Sequence, residues 1–284
     1  MPYAWHAHPD VWVLIAVLLG GYAWALRHLG PRHTAPGQPV ATRFQKVCWV
    51  TGVATVWVAS DWPVHDLSER FLYSVHMTQH LLITLVAPPL LLLGTPAWLA
   101  REILRPPALY NVVRRLARPF PALVLFNVLI VVAHWPTFVD ATLNSEPVHF
   151  AIHTALFLSA LLMWAPVTAP LPELRPLTPP AQMLYLFLQS IVPTVPASFL
   201  VFAEKPIYRF YEQVPRLWNL SAGEDQRIAG LLMKIGGGFL LWMVIAVLFF
   251  KWHSAEEEND KQARHWRALE RELDGERDPM RWSN

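Results

Sequence analysis

What most limits the folding of this chain is a recurrence: apolar runs of bilayer-crossing length return along nearly all of its 284 residues. They fall at about Val11–Leu29, Lys46–Ala59, Phe71–Leu93, Phe120–Trp135, Val148–Pro166, Gln182–Phe202 and Ile228–Trp252. With their flanks they match the roughly 17–25 residues that a helix needs to cross the hydrocarbon layer. Inside that layer only helices and closed barrels satisfy every backbone polar group. The expected fold is an all-α membrane protein: a bundle of seven transmembrane helices over residues 1–253, followed by a charged tail at 254–284 that reads as a solvated helix. With 54% hydrophobic and 15% charged residues, the chain is too apolar and too charge-poor for an ordinary soluble domain, and nothing points to nucleic acid. Its one cysteine, Cys48, lies in an apolar run, which excludes an intramolecular disulfide and a thiolate cluster. A metal here must be held by histidine, methionine or carboxylate. The first residues lack the positive region of a secretory signal, so the first run is expected to stay as a span.

Lysine and arginine set the orientation. The first connection carries Arg27, Arg32, Arg43 and Lys46, the third Arg101, Arg105, Arg114, Arg115 and Arg118, the fifth Arg175, and the stretch from Lys251 onward seven more. The opposite side has only Arg70, Lys205, Arg209, Arg216 and Arg227, partly matched by acidic residues. The N-terminus is therefore expected in the periplasm and the C-terminus in the cytoplasm. In the third connection Leu109, Val112, Val113 and Leu116 recur at helical spacing among arginines. That pattern predicts a helix lying on anionic membrane lipid.

The stretch from Arg70 to Pro96 is the most informative. It starts charged and aromatic, turns apolar, and meets Pro88-Pro89 and then Gly94-Thr95-Pro96, where a helix is expected to kink or stop. His76 and His80 lie four apart on one helical face, with Met77 beside them. His134 closes the fourth run, and His149 and His153 form a second pair four apart. With the expected orientation, all five imidazoles fall in the outer half of the membrane. A single such ring is usually an interfacial side chain with its tip hydrogen-bonded. Five on one side suggest a shared ligand, because a buried imidazole needs a partner. Imidazole with thioether suits copper.

Other candidates are weaker. Met77 and Met233 read as packing unless the helices turn them toward the histidines. Ser221 and Glu224 form a capping box that puts Asp225 in the first turn of the last span, where a role in capping outweighs ligation. Lys234 can snorkel, pair with Asp225 or help close the site. His6, His8, Asp61, His65 and Asp66 can form an outer antechamber, although a solvated surface is the commoner reading. Pro193 and Pro196 predict a bent or locally unwound sixth span, and Gly236-Gly237-Gly238 a close helix approach in the seventh.

HMTQH followed by APPLLLLGTP, then HWP at His134, the His149/His153 pair and DQRIAGLLMK from Asp225 resemble, in that order, the polytopic CtaG-type family of cytochrome c oxidase assembly factors associated with caa-type oxidases. The resemblance extends from about Trp49 to Met243. It implies a multi-pass protein of the bacterial plasma (inner) membrane, not an enzyme, that handles copper on the outer side for a haem-copper oxidase subunit as client. A periplasmic copper chaperone would be a further partner. The positions matching its motifs are His76, Met77, His80, His134, His149, His153, Asp225 and Gln226. The expectation is that the five histidines bind copper as Cu(I), that Met77, Asp225 and Met233 are additional ligand candidates, and that Asp61, His65, Gln226 and Lys234 line the approach or support the ligands. Two other readings stay open: a haem b cytochrome with paired histidine ligands, and a metal transporter loaded from the outer side. A zinc hydrolase is disfavoured, because Met77, Thr78 and Gln79 stand where a general base would be needed.

Overall fold

The computed structural model describes residues 5–276. Among these there is no strand, and the chain folds as a helical bundle. In chain order the helices are α1 (Pro9–His28), α2 (Arg43–Ser60), α3 (Val64–Arg70), α4 (Tyr73–Gly94), α5 (Ala97–Ile103), α6 (Pro107–Leu116), α7 (Pro119–Ala133), α8 (Pro136–Leu143), α9 (Glu146–Thr168), α10 (Pro179–Ile191), α11 (Thr194–Phe202) and α12 (Arg209–Gln213). Helix α13 starts as Ala222–Leu231, passes a π-type turn at Leu232–Gly236 and continues as Gly237–Glu276. Five segments are long and apolar enough to cross a membrane: Pro9–Arg32, Tyr73–Gly94, Glu146–Thr168, Pro179–Phe202 and Ala222–Arg271. Helices α6 and α7 meet the same criterion only when taken together, and the chain bends by 80° between them. Large apolar side chains such as Val17, Phe120, Phe150, Phe199, Phe239 and Phe250 point outward from the bundle. In water such a surface would be an aggregation hazard, whereas lipid accepts it. The protein is therefore a multi-pass, all-helical membrane protein.

The sequence explains the local geometry. Thr42 and Gln45 form a capping box that starts α2, and Ser221 and Glu224 form another that starts α13. Helix α4 does not stop at Pro88-Pro89. It widens into a π-type turn at Leu82–Val86, where the Ala87 N–H reaches back to the Leu82 carbonyl. Pro88 has no N–H to give the Thr84 carbonyl, and the Trp164 indole donates to it instead at 3.0 Å. The helix ends at Gly94, where the Trp49 backbone of α2 lies so near that a Cβ would sit 2.5 Å from its nitrogen. The sixth apolar run breaks between α10 and α11 around Pro193, in keeping with its prolines. In α13 Gly237 lets Leu81 of α4 approach to 3.2 Å from where a Cβ would stand.

The core lies between α4, α7, α9, α10, α11 and α13, around Met77, Phe126, Leu156, Met163, Trp164, Leu186 and Leu200. Helices α1 and α2 pack on its flank, with Ile15 and Leu18 of α1 and Val53 and Val56 of α2 clustered with Ala87 and Leu91 of α4. One end of the bundle is closed by the α2–α4, α7–α9 and α11–α13 connections, tied by Tyr211 Oη donating to the Ser68 carbonyl and Tyr208 Oη to the His134 carbonyl. At the other end Trp98 Nε1 donates to the Val40 carbonyl. There α6 buries none of its residues and leaves Leu109, Val112 and Leu116 exposed beside its arginines. Helix α13 runs without a break through residue 254 into the charged tail. Residues 277–284 of the expected tail lie outside the described residues.

Candidate metal centre

Three helices bring the five histidines together at the α3 end of the bundle. Successive side chains four apart stack along one helical face. The ring centroids of His76 and His80 on α4 are 4.5 Å apart, and those of His149 and His153 on α9 are 4.0 Å apart. The two pairs face one another: His80 lies 4.8 Å and His76 5.6 Å from His153, and His76 lies 6.2 Å from His149. His134, capping the C-terminus of α7, joins from the third side at 6.1 Å from His80. His76, His149 and His153 each offer a nitrogen within 4.8 Å of the other two.

Several of these nitrogens lack any partner. His76 Nδ1, both nitrogens of His80, His134 Nε2 and His149 Nε2 are buried without a hydrogen bond. Leaving a buried polar atom unsatisfied costs on the order of 1–3 kcal/mol, so a cluster of them calls for a physical reason. The hydrogen bonds that do exist prepare the rings. A carboxylate or carbonyl can only accept, so the Glu69 contact at 2.8 Å puts the His149 proton on Nδ1, and the Ile130 carbonyl at 2.7 Å does the same for His134. In the neutral rings both Nε2 atoms then carry lone pairs. A carboxylate behind an imidazole is also the usual orienting partner of a metal-binding histidine. Burial pushes the Glu69 carboxyl up, but the hydrogen bond from His149 and the nearby Arg70 guanidinium are among the influences that outweigh it and hold Glu69 below the usual glutamate range. It therefore stays ionised and keeps accepting. Nothing in the sequence links positions 69 and 149, so Glu69 was not foreseeable from spacing.

A line of polar side chains leads away from the cluster. His65 sits 6.2 Å from His149 and 4.8 Å from His8, and His6 and His8 reach Asp66 at 3.3 and 3.1 Å. Burial holds the His65 imidazole below its ordinary pKa, although Glu69 and Asp66 pull the other way. Asp61 is bound differently: its Oδ2 accepts from the indoles of Trp12 and Trp57 at 2.9 and 2.6 Å. Those contacts fasten α1 to α2.

The residues on α13 act mainly as fasteners. Asp225 is fully buried, and its oxygens accept the backbone N–H of Tyr73 at 2.7 Å, the N–H of Ser74 at 3.0 Å and the Ser74 hydroxyl at 2.5 Å. These N–H groups open α4, whose own N-cap, Leu72, has no side chain to cap them. Asp225 thus caps a neighbouring helix, two residues from His76. Gln226 accepts from Ile207 N–H at 2.6 Å and donates to the Leu200 carbonyl at 3.2 Å, binding the α11–α12 connection to α13. Lys234 does not pair with Asp225. It donates to Ser198 at 3.3 Å and lies 5.8 Å from the Phe202 ring centroid. Met77 and Met233 are both buried and, with Met163, line a cavity of ≈ 50 Å³ beside His80 and His134. Met163 carries no sequence signal, being one apolar residue among many in α9.

Comparison of the sequence with protein families finds that the model of the family described as "Cytochrome c oxidase caa3 assembly factor" matches residues 20–255. Comparison with curated proteins and with solved structures finds no match. The matched stretch takes in all five histidines, Glu69 and Asp225, and leaves out His6 and His8.

The trans cap gives a direct prediction. Asp225→Ala strips two buried N–H groups of their acceptor and should lower stability by roughly 2–4 kcal/mol. Asp225→Asn keeps one acceptor oxygen and should lose less. Thermal unfolding of both variants in detergent checks the order, and unchanged midpoints would contradict it.

Proposed function

The chain belongs to the cytochrome c oxidase caa3 assembly factor family, and from that premise we propose that it serves oxidase assembly by holding copper as cargo among its buried histidines. It acts as a carrier and not as an enzyme. The observation that carries the reading is the convergence of His76, His149 and His153, whose nitrogens lie within 4.8 Å of one another in a buried setting. Three imidazoles leave a coordination position open, which a donor requires, since a fully closed ligand set tends to be structural. Imidazole suits several metals, copper among them, and the neighbouring thioethers favour Cu(I). The copper passes to a haem-copper oxidase subunit. His6, His8, Asp66 and His65 form the approach, where a periplasmic copper chaperone would deliver.

This reading includes a topology. Taken as spans, α2 and α7 complete a bundle of seven, for α2 is packed along the Ala87 and Leu91 face of α4 and α7 contributes Phe126 and Ile130 to the core. The end that carries Arg32, Arg43, Arg101, Arg114, Arg115 and Arg175 is then cytoplasmic, with α6 laid on anionic lipid of the bacterial inner membrane. The histidine end faces the periplasm. A fluorescent protein fused after Asn284 should glow in the cytoplasm, while alkaline phosphatase at the same place should be inactive; the reverse pattern would overturn the orientation.

Packing speaks against haem. The rings stand 4.0–6.2 Å apart in direct contact, leaving no slot for a porphyrin between them. The adjoining cavity, ≈ 50 Å³, falls far short of the roughly 300 Å³ at which cofactor pockets begin. The copper reading is checked by metal analysis of the purified chain after loading with Cu(I). Wild type should retain copper, and His76→Ala with His153→Ala should lose the share that the triad holds. Equal copper in the two would reject the proposal.

A further inference from the structure

The cavity beside the histidines has a chemistry of its own. Its wall combines Met77, Met163 and Met233, from three different helices, with His80 and His134. All three methionines are buried, at 2%, 0% and 7% exposure. Three thioethers converging with imidazoles are more than a core of this size needs, since branched aliphatic residues fill such space with better-defined rotamers. The imidazoles are the second observation. His80 and His134 are each 7% exposed, and His80 has no hydrogen bond at either nitrogen while His134 has none at Nε2. Side chains that carry three unsatisfied nitrogens and three thioethers therefore line one space.

The surrounding backbone keeps that space open. Both π-type turns border the cavity, Leu82–Val86 through Thr84 and Leu85 and Leu232–Gly236 through Met233. Such turns occur often at functional sites. Gly238 also lines it, and a Cβ there would meet no atom within 4 Å. Apart from the two imidazoles, no ionisable side chain lines the wall: it has no carboxylate, lysine or arginine. A divalent ion would find no counter-charge there, whereas a soft monovalent ion is matched by thioether and imidazole donors.

We propose that this cavity is a second metal station, selective for Cu(I), in which the thioethers of Met77, Met163 and Met233 and the imidazoles of His80 and His134 share the ligation. It rests on the copper reading above but assigns a separate site, deeper along α4 than the His76, His149 and His153 triad. His80 links the two. Its ring lies 4.5 Å from His76 and 4.8 Å from His153 on one side and 6.1 Å from His134 on the other. The ion moves inward by exchanging one imidazole for the next, and no bond other than coordination changes.

The test is copper stoichiometry together with X-ray absorption at the copper edge, on the full-length chain in detergent under reducing, oxygen-free conditions. Wild type should show a sulfur shell in addition to nitrogen. Met163→Leu with Met233→Leu, a volume-conserving pair that should leave the fold intact, should bind one copper fewer per chain and lose the sulfur shell. His149→Ala with His153→Ala should also bind one copper fewer while the remaining ion keeps its sulfur. Nitrogen-only scattering in wild type, with copper unchanged in the methionine variant, would overturn the inner station and leave the triad standing. Absence of copper from every variant and from wild type would overturn both.

Discussion

The first N–H groups of α4 have no partner within their own helix, and a carboxylate 151 and 152 positions further along the chain supplies one. Beneath a membrane boundary no water is at hand for such groups, so the position of α4 is fixed by where Asp225 can reach. Asp225 also stands in the first turn of its own helix, so one negative charge answers the positive ends of two helix dipoles. His76 lies two residues beyond Ser74 and His80 one turn further. Their placement follows from that single contact, and α13 is drawn in alongside with Met233. Gln226, the next residue, fixes the α11–α12 connection that closes the end of the bundle.

Polar groups elsewhere in the bundle follow the same rule with a different outcome. Thr84 loses its usual backbone donor to Pro88 and gains an indole; Gln189 bonds Asn127 and Tyr185; Asp61 takes two indoles and a backbone N–H. Outside the histidines, the buried side-chain atoms left without a partner among the described residues are Tyr73 Oη, Asn127 Oδ1 and two nitrogens of Arg216, and they are scattered. Against that background the bare nitrogens of His76, His80, His134 and His149 stand out. A fold that satisfies a threonine carbonyl with a tryptophan has left four imidazoles incomplete in one place, which is what the proposed copper site accounts for.

Much of this was legible in the sequence, because the relevant signals are local. Helical character, the two histidine pairs, the capping box at Ser221, the break at Pro193 and the close approach at the triple glycine follow from spacing and residue type alone. The ordered motifs pointed to the family that the family comparison then matched. What escaped was everything joining distant segments. Asp225 reads as the cap of its own helix, yet its oxygens go to α4. Lys234 reads equally as a snorkelling side chain, a partner of Asp225 or a residue that closes the site, and only the fold shows that it donates to Ser198. Glu69 and Met163 carry no pattern at all, because their roles exist only once α3 meets α9 and α9 meets α4 and α13. The passage of α4 through Pro88-Pro89 escaped for the same reason, since the donor that rescues Thr84 lies 80 residues away.

The central claim is that the converging imidazoles exist to hold a metal ion delivered from outside the bilayer. Anomalous diffraction at the copper edge from crystals of the full chain soaked with Cu(I) tests it most directly. A peak enclosed by His76, His149 and His153 is the predicted result. Rings in hydrogen-bonded contact with ordered water and no anomalous peak among them, at saturating copper, would contradict it.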